Sequence, residues 1–205
     1  MTGLAVLAIS LALIVPIGND DTVTEPTTKT TFSKTWGDPP VKLYGVAPRK
    51  KIWFKVYGVG VYADKEAVEA KLAELGGGTS TDRLAEAVIT CNGRRVIVLK
   101  FVRDLSKGRM QGAIREGLEK SFKLSDERIA ADATSFLNAM QDIKKGDIAE
   151  MILDADGTIK LTGKGEELLN INNRILGDAL LAIYIGEKPI SKEMKQQLLS
   201  LAGTD

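Results

Sequence analysis

The chain has no histidine among its 205 residues. That absence removes Ser-His and Cys-His nucleophilic pairs, imidazole acid-base chemistry and most zinc sites. Arg, Lys, Tyr, Ser, Thr and the carboxylates are left to carry any chemistry. Cysteine is nearly absent too. Cys91 stands alone, so no internal disulfide can form and the redox compartment is not readable. Neither sign of charge is in excess, with 28 basic against 27 acidic residues for a net +1. A chain so balanced has no overall field to draw in a polyanion, and nucleic acid is not an expected partner. No nucleotide or metal signature is complete either. Asp154-Ala155-Asp156-Gly157 begins like a calcium loop, but glycine takes the next acidic position and no bidentate glutamate follows at the required spacing. It reads as a hairpin turn. Gly58-Val59-Gly60 lacks the third glycine and following helix of a dinucleotide site, and Gly163-Lys164-Gly165 lacks P-loop spacing. No cofactor and no metal are expected.

What is present is enough apolar material, 44% of the residues, for one sizeable core. The stretch that organises it is Gly45–Tyr62, GVAPRKKIWFKVYGVGVY. From Ile52 onward it is β-branched, aromatic and free of proline, so it reads as a long strand. Alternation puts Ile52, Phe54, Val56, Gly58 and Gly60 on one face and Trp53, Lys55, Tyr57, Val59 and Val61 on the other. Glycine inside a strand marks a bulge, or a place where another backbone or a ligand comes close. Upstream lies the cationic turn Pro48-Arg49-Lys50-Lys51. Charge beside a slotted sheet is a candidate binding site; a solvated hairpin end beside a strand bent to fit a helix is the plainer alternative.

The N-terminus reads as separate from the fold. Leu4–Ile17 is a fourteen-residue run, apolar but for Ser10, short for a bilayer span and the right length for a signal-peptide core, which suggests export or organelle entry, with a truncated targeting sequence or a membrane-apposed tail as the alternatives. Before it there is no Lys or Arg, and no clean small-x-small site follows. The polar, Thr-rich stretch from Gly18 to Pro40 reads as a linker or a first edge strand. Residues 1–33 are therefore expected to be targeting segment and linker, and 34–205 the domain.

After the long strand, Asp64 is placed to cap a helix through Val68, Leu72 and Leu75 that stops at Gly76-Gly77-Gly78. Ala87–Cys91 and Arg95–Val102 flank Asn92-Gly93, a strong hairpin signal, so two antiparallel strands are expected there, with Cys91 on the first. Met110, Ile114, Leu118 and Phe122 form one helical stripe. Ile129, Ala133, Phe136, Leu137 and Met140 form another, opened by Ser125. Short strands are expected at 149–153, 158–161 and 167–171, then helices at 174–185 and 191–201.

Three stretches in this order, FKVYGVGVYAD, LKFVRDLSKGRMQGAIREGLEK and NRILGDALLAIYIGEKPISKEMK, resemble the chalcone isomerase-like superfamily over roughly Val41–Leu201. The resemblance implies an α+β open-faced β-sandwich, a large antiparallel sheet covered by a layer of helices, with ligand in a cleft between them. It also implies that Arg49 is the family's functional arginine, which meets a carboxylate in the fatty-acid binders. Tyr57 stands where an isomerase carries threonine, as in the fatty-acid-binding type. Met110 falls at the isomerase tyrosine, Gly117 at its asparagine, and its late threonine falls near Glu166. The expected function is non-catalytic binding of a fatty acid or similar amphipathic carboxylate by a monomer. The alternatives are a chalcone-flavanone isomerase-type lyase and a non-catalytic partner of another enzyme. Arg49 and Tyr57 are eight residues apart, roughly 26 Å in a straight strand. They can share one carboxylate only if the chain reverses between them. Tyr62 is a second candidate phenol, with a core or edge aromatic as its other role.

Overall fold

The computed structural model describes residues 21–203 except 52, 79, 122, 123 and 125. The apolar run Leu4–Ile17, with its targeting role, and the expected helix positions Phe122 and Ser125 lie outside the described residues. Nine strands run among the described residues: Thr22–Thr24 (β1), Thr31–Ser33 (β2), Thr35–Trp36 (β3), Val41–Lys51 (β4), Phe54–Ala63 (β5), Arg95–Phe101 (β6), Ile148–Leu153 (β7), Thr158–Gly163 (β8) and Glu166–Asn172 (β9). Six helices accompany them: Lys65–Glu74 (α1), Thr81–Thr90 (α2), Lys107–Ser121 (α3), Ala130–Ala139 (α4), Arg174–Ile185 (α5) and Lys192–Leu198 (α6). β3 to β9 form one antiparallel sheet in chain order. The fold is α+β with a large antiparallel sheet and a helical layer, as the sequence implies.

Alternation decides which face the helices cover. Tyr57, Val59, Val61 and Ala63 of β5, with Ile97, Leu99 and Phe101 of β6 and Ala149, Met151 and Leu153 of β7, share the main core with α2 to α6. The alternate positions, Tyr62, Val96 and Val98, join Phe32, Val41 and Leu43 in a second, smaller core on the opposite face. α5 anchors the helical layer. Asn173 accepts the Leu176 N–H as its N-cap. The Asp178 carboxylate meets Arg174 at 3.0 Å and the fully buried Arg95 of β6 at 2.6 Å. α3 lies close beside α5, because a side chain at Gly117 would meet Ile183 at 2.7 Å.

Two expectations are corrected by the structure. The cationic stretch Pro48-Arg49-Lys50-Lys51 is not a turn but the end of an eleven-residue strand, β4, and the reversal falls between Lys51 and Phe54. Pro48 is tolerated because β3 pairs only with Val41 and Lys42, leaving the rest of β4 as a sheet edge. Ala87–Cys91 is helical, not a strand. Ser80 caps α2 by accepting the Arg83 N–H, and Leu84, Ala85, Ala87 and Val88 form its buried side. A short apolar run fits either period, and Cys91 ends the helix with its thiol buried and raised above the usual thiol range by desolvation.

In the Thr-rich stretch, read as a linker or a first edge strand, β1 and β2 form a hairpin that lies on the outer face of the sheet. Glu25 organises its turn, accepting the Thr27 N–H at 2.8 Å and the Thr28 N–H and hydroxyl at 2.5 Å each. Phe32 is fully buried, although a domain starting at Lys34 would omit it. The two strand glycines face this hairpin. A Cβ at Gly60 would meet the Phe32 ring at 2.8 Å, and one at Gly58 would meet the Thr30 hydroxyl. The gap they leave is filled by the chain's own residues. Phe32→Ala is expected to cost about 3–5 kcal/mol, lowering the melting temperature by on the order of 10 °C for a domain of this size. Deletion of residues 1–33 is expected to cost at least as much. Thermal unfolding of the full and truncated chains is the check, and coincident curves would mean that the hairpin contributes nothing.

Candidate functional site

Arg49 and Tyr57 lie directly opposite each other, near the end of the β4–β5 hairpin. A cross-strand pair projects to the same face, and that face is the helix-covered one, since neighbouring Ala47, Val59 and Tyr57 all enter the main core. The separation along the chain is thus undone by the reversal at the tip. Tyr57 is buried to 5% exposure and packs edge-on against Phe101 of β6, with ring centroids 5.3 Å apart.

A third group completes the cluster. Tyr184, near the end of α5, is fully buried, and its Oη has no partner in regular hydrogen-bond geometry, although the Tyr57 phenol stands near enough for a hydrogen-bond interaction that raises the pKa of Tyr184 and lowers that of Tyr57. Burial pushes both phenols above the usual tyrosine range; Arg49's positive charge pulls both back in part. At neutral pH both are therefore protonated donors. The same guanidinium helps hold the Glu116 carboxyl of α3 below its usual range, behind the stronger effect of Lys120. Arg49's charge is thus felt at Glu116 of α3 and at Tyr184 of α5.

Tyr62 is not part of this cluster. It is an odd number of residues from Tyr57 and so faces the second core, where its Oη donates to the Ser33 carbonyl at 3.0 Å. Lys50 and Lys51 are exposed at the hairpin end. Met110, where the isomerase tyrosine would fall, is a buried core residue of α3. Gly117, at the asparagine position, has its space taken by Ile183, and Glu166 is exposed on β9. Tyr184 was not singled out from sequence. Its only signal there is its place in the AIYIGEKP stretch, since nothing in a helical pattern tells an aromatic core residue from one whose hydroxyl faces a cavity.

Beyond Phe101, along the same face, an apolar slot lies between β6 to β8 and α3 and α4. Leu99, Met110, Ile114, Phe136, Met140, Met151 and Leu161 line it, and Gln141 and Thr162–Lys164 stand at its outer end. Its cavity volume is about 30 Å³, room for a water or two and far less than the several hundred Å³ typical of small-molecule sites. Three of its walls are methionine, the side chain best able to repack around an irregular guest. Among the described residues no cluster of His, Cys, Asp and Glu could hold a metal ion.

Comparison with known proteins bears on the fold and the family. The chain is 27% identical over 201 residues to fatty-acid-binding protein 1 of Arabidopsis thaliana, a match covering 90% of this chain and 72% of that protein. The crystal structure of an Arabidopsis thaliana fatty-acid binding protein superposes with a TM-score of 0.74 at 23% identity, covering 88% of this chain and 97% of that one. The family profile described as chalcone isomerase-like matches residues 26–200. With the profile spanning the β1–β2 turn to the end of α6, the chain belongs to the chalcone isomerase-like family.

Proposed function

We propose that this protein binds a fatty acid or a similar amphipathic carboxylate without turning it over, the headgroup at Arg49, Tyr57 and Tyr184 and the tail in the methionine-lined slot. The observation that carries the reading is the buried Tyr184 hydroxyl, which meets no partner in regular hydrogen-bond geometry and has only the Tyr57 phenol as an interacting neighbour of its own kind. A buried hydroxyl with no regular hydrogen bond costs about 1–3 kcal/mol, and here it stands beside a second phenol and a guanidinium. Two neutral donors and a cation converging on one point make a site for a carboxylate. The name of the Arabidopsis relative supports the same ligand class.

Isomerisation in the family uses a phenol at the start of the helix that α3 corresponds to, where it stabilises the oxyanion of the substrate. Met110 stands at that position and Tyr57 fills that of the strand threonine, so the two phenols of the cluster, Tyr57 and Tyr184, are not placed as an isomerase places its own. The narrowness of the slot favours a second reading, a non-catalytic partner of another enzyme, because a protein that never opens the slot needs no ligand.

Arg49→Ala is expected to weaken long-chain fatty-acid binding roughly ten- to a hundredfold, a charge-assisted hydrogen bond being worth about 1.5–3 kcal/mol. Lys50→Ala is expected to change it little. Affinity rises with chain length until the slot is full, at about 0.8 kcal/mol per buried CH₂, so the Arg49→Ala curve should run parallel to wild type. Titration of a series of saturated fatty acids tests both halves. Equal effects at Arg49 and Lys50 would move the carboxylate elsewhere.

Tyr184→Phe separates ligand binding from packing. It should raise the stability of the free protein by about 1 kcal/mol, by removing an unsatisfied group, and yet weaken fatty-acid affinity up to tenfold. Calorimetric unfolding and titration of the same variant provide the check, and unchanged affinity would leave the hydroxyl without a ligand role. Cyclisation of naringenin chalcone is expected to stay at the spontaneous rate, and a rate far above it would overturn the non-catalytic reading.

A further inference from the structure

Large apolar side chains are exposed at only three places among the described residues: Trp53 at 91%, Phe54 at 59% and Ile148 at 41%. All three lie at the same end of the sheet. Trp53 and Phe54 form the β4–β5 tip, and Ile148 opens β7 opposite Lys100, one residue from the end of β6. Exposed apolar residues scattered singly need no explanation, whereas a cluster at one end marks an interaction surface.

Charge identifies the partner. Lys50, Lys51 and Lys55 flank the two aromatics, and the Arg103 guanidinium lies 4.8 Å from the Phe54 ring centroid. None of these four cations forms an ion pair among the described residues, while the acids at this end are already engaged. Asp104 meets Lys144 at 3.2 Å, Asp147 meets Lys164 at 3.8 Å, and Asp142 accepts the Lys107 N–H. An aromatic pair ringed by uncompensated lysines suits the headgroup region of a bilayer. Trp sits well at that depth, and Lys side chains keep their charge among anionic phosphates while their stems lie along apolar surface.

We propose that the β4–β5 tip docks the protein on anionic lipid membranes, Trp53 and Phe54 entering the headgroup layer and Lys50, Lys51, Lys55 and Arg103 meeting lipid phosphates. This is surface attachment, since no helix among the described residues is long and apolar enough to cross a membrane. Arg49 lies just up the same strand, roughly 10 Å from the tip at about 3.3 Å per residue, and the outer end of the slot at Lys164 faces the same way. A fatty acid leaving the bilayer would meet the guanidinium first. The docking surface does not depend on that ligand, and a chain that bound no fatty acid would still attach.

The test uses the full chain with vesicles of phosphatidylcholine alone and of phosphatidylcholine with phosphatidylglycerol. Flotation reads attachment. Quenching of tryptophan emission by lipids brominated on the acyl chain reads the depth of Trp53, and Trp53→Ala supplies the signal of Trp36, which is held by its 2.9 Å hydrogen bond to Glu150. The expected result is salt-sensitive attachment to the anionic vesicles with Trp53 quenched. Lys50→Ala with Lys51→Ala should weaken attachment about fivefold per lysine. Flotation with Trp53 unquenched would assign attachment to another part of the chain and overturn the proposal. Equal attachment to both kinds of vesicle, or a tip that engages a protein and neither vesicle, would do the same.

Discussion

The structure depends on the alternation of side chains along β5. Tyr57, Val59 and Val61 turn to the helices, while Gly58, Gly60 and Tyr62 turn to the outer face. Because β4 pairs antiparallel with β5 in unbroken register from Gly45 to Arg49, the same parity carries Arg49 to the helix side opposite Tyr57. A slip of one residue would place the guanidinium and the phenol on opposite sides of the sheet. The outer face holds that register in place: the Phe32 ring packs against Gly60, and the Tyr62 hydroxyl donates to the Ser33 carbonyl. The β1–β2 hairpin therefore braces β5 from the face opposite Arg49 and Tyr57.

The helical layer meets this sheet under tension between closure and access. Arg95 and Asp178 fix α5, and hence Tyr184, against β6. The slot beside them is lined by side chains that tolerate rearrangement, Met110, Met140 and Met151. A rigid polar end and a compliant apolar end suit a ligand with one fixed headgroup and tails of varying length. Under the proposed function, a tail could enter only if the slot opened, at a free-energy cost set against tail burial.

Much of this was legible in the sequence, for identifiable reasons. Periodicity located α3 and α5, turn chemistry located the β7–β8 hairpin at Asp154–Gly157, and alternation assigned the faces of β5. What sequence could not supply was the occupant of a gap. Two glycines in a strand announce a close approach, but only the fold reveals that Thr30 and Phe32 make it. Ala87–Cys91 misled because a few apolar residues satisfy either period, and Ser80, the cap that decides for helix, lies seven residues upstream. In the candidate site, the sequence points to Arg49 and Tyr57, and the chain reversal that brings them together is there. Tyr184 was not legible, since whether a buried hydroxyl has a partner is a property of packing.

Crystallisation with a long-chain saturated fatty acid tests the central claim most directly. The account predicts the carboxylate within hydrogen-bond reach of Arg49 and the Tyr57 and Tyr184 hydroxyls, with Met110, Met140 and Met151 in new rotamers around the tail. A fatty acid bound on the outer face or at the surface, with the slot still closed and the Tyr184 hydroxyl still without a regular hydrogen bond, would contradict it.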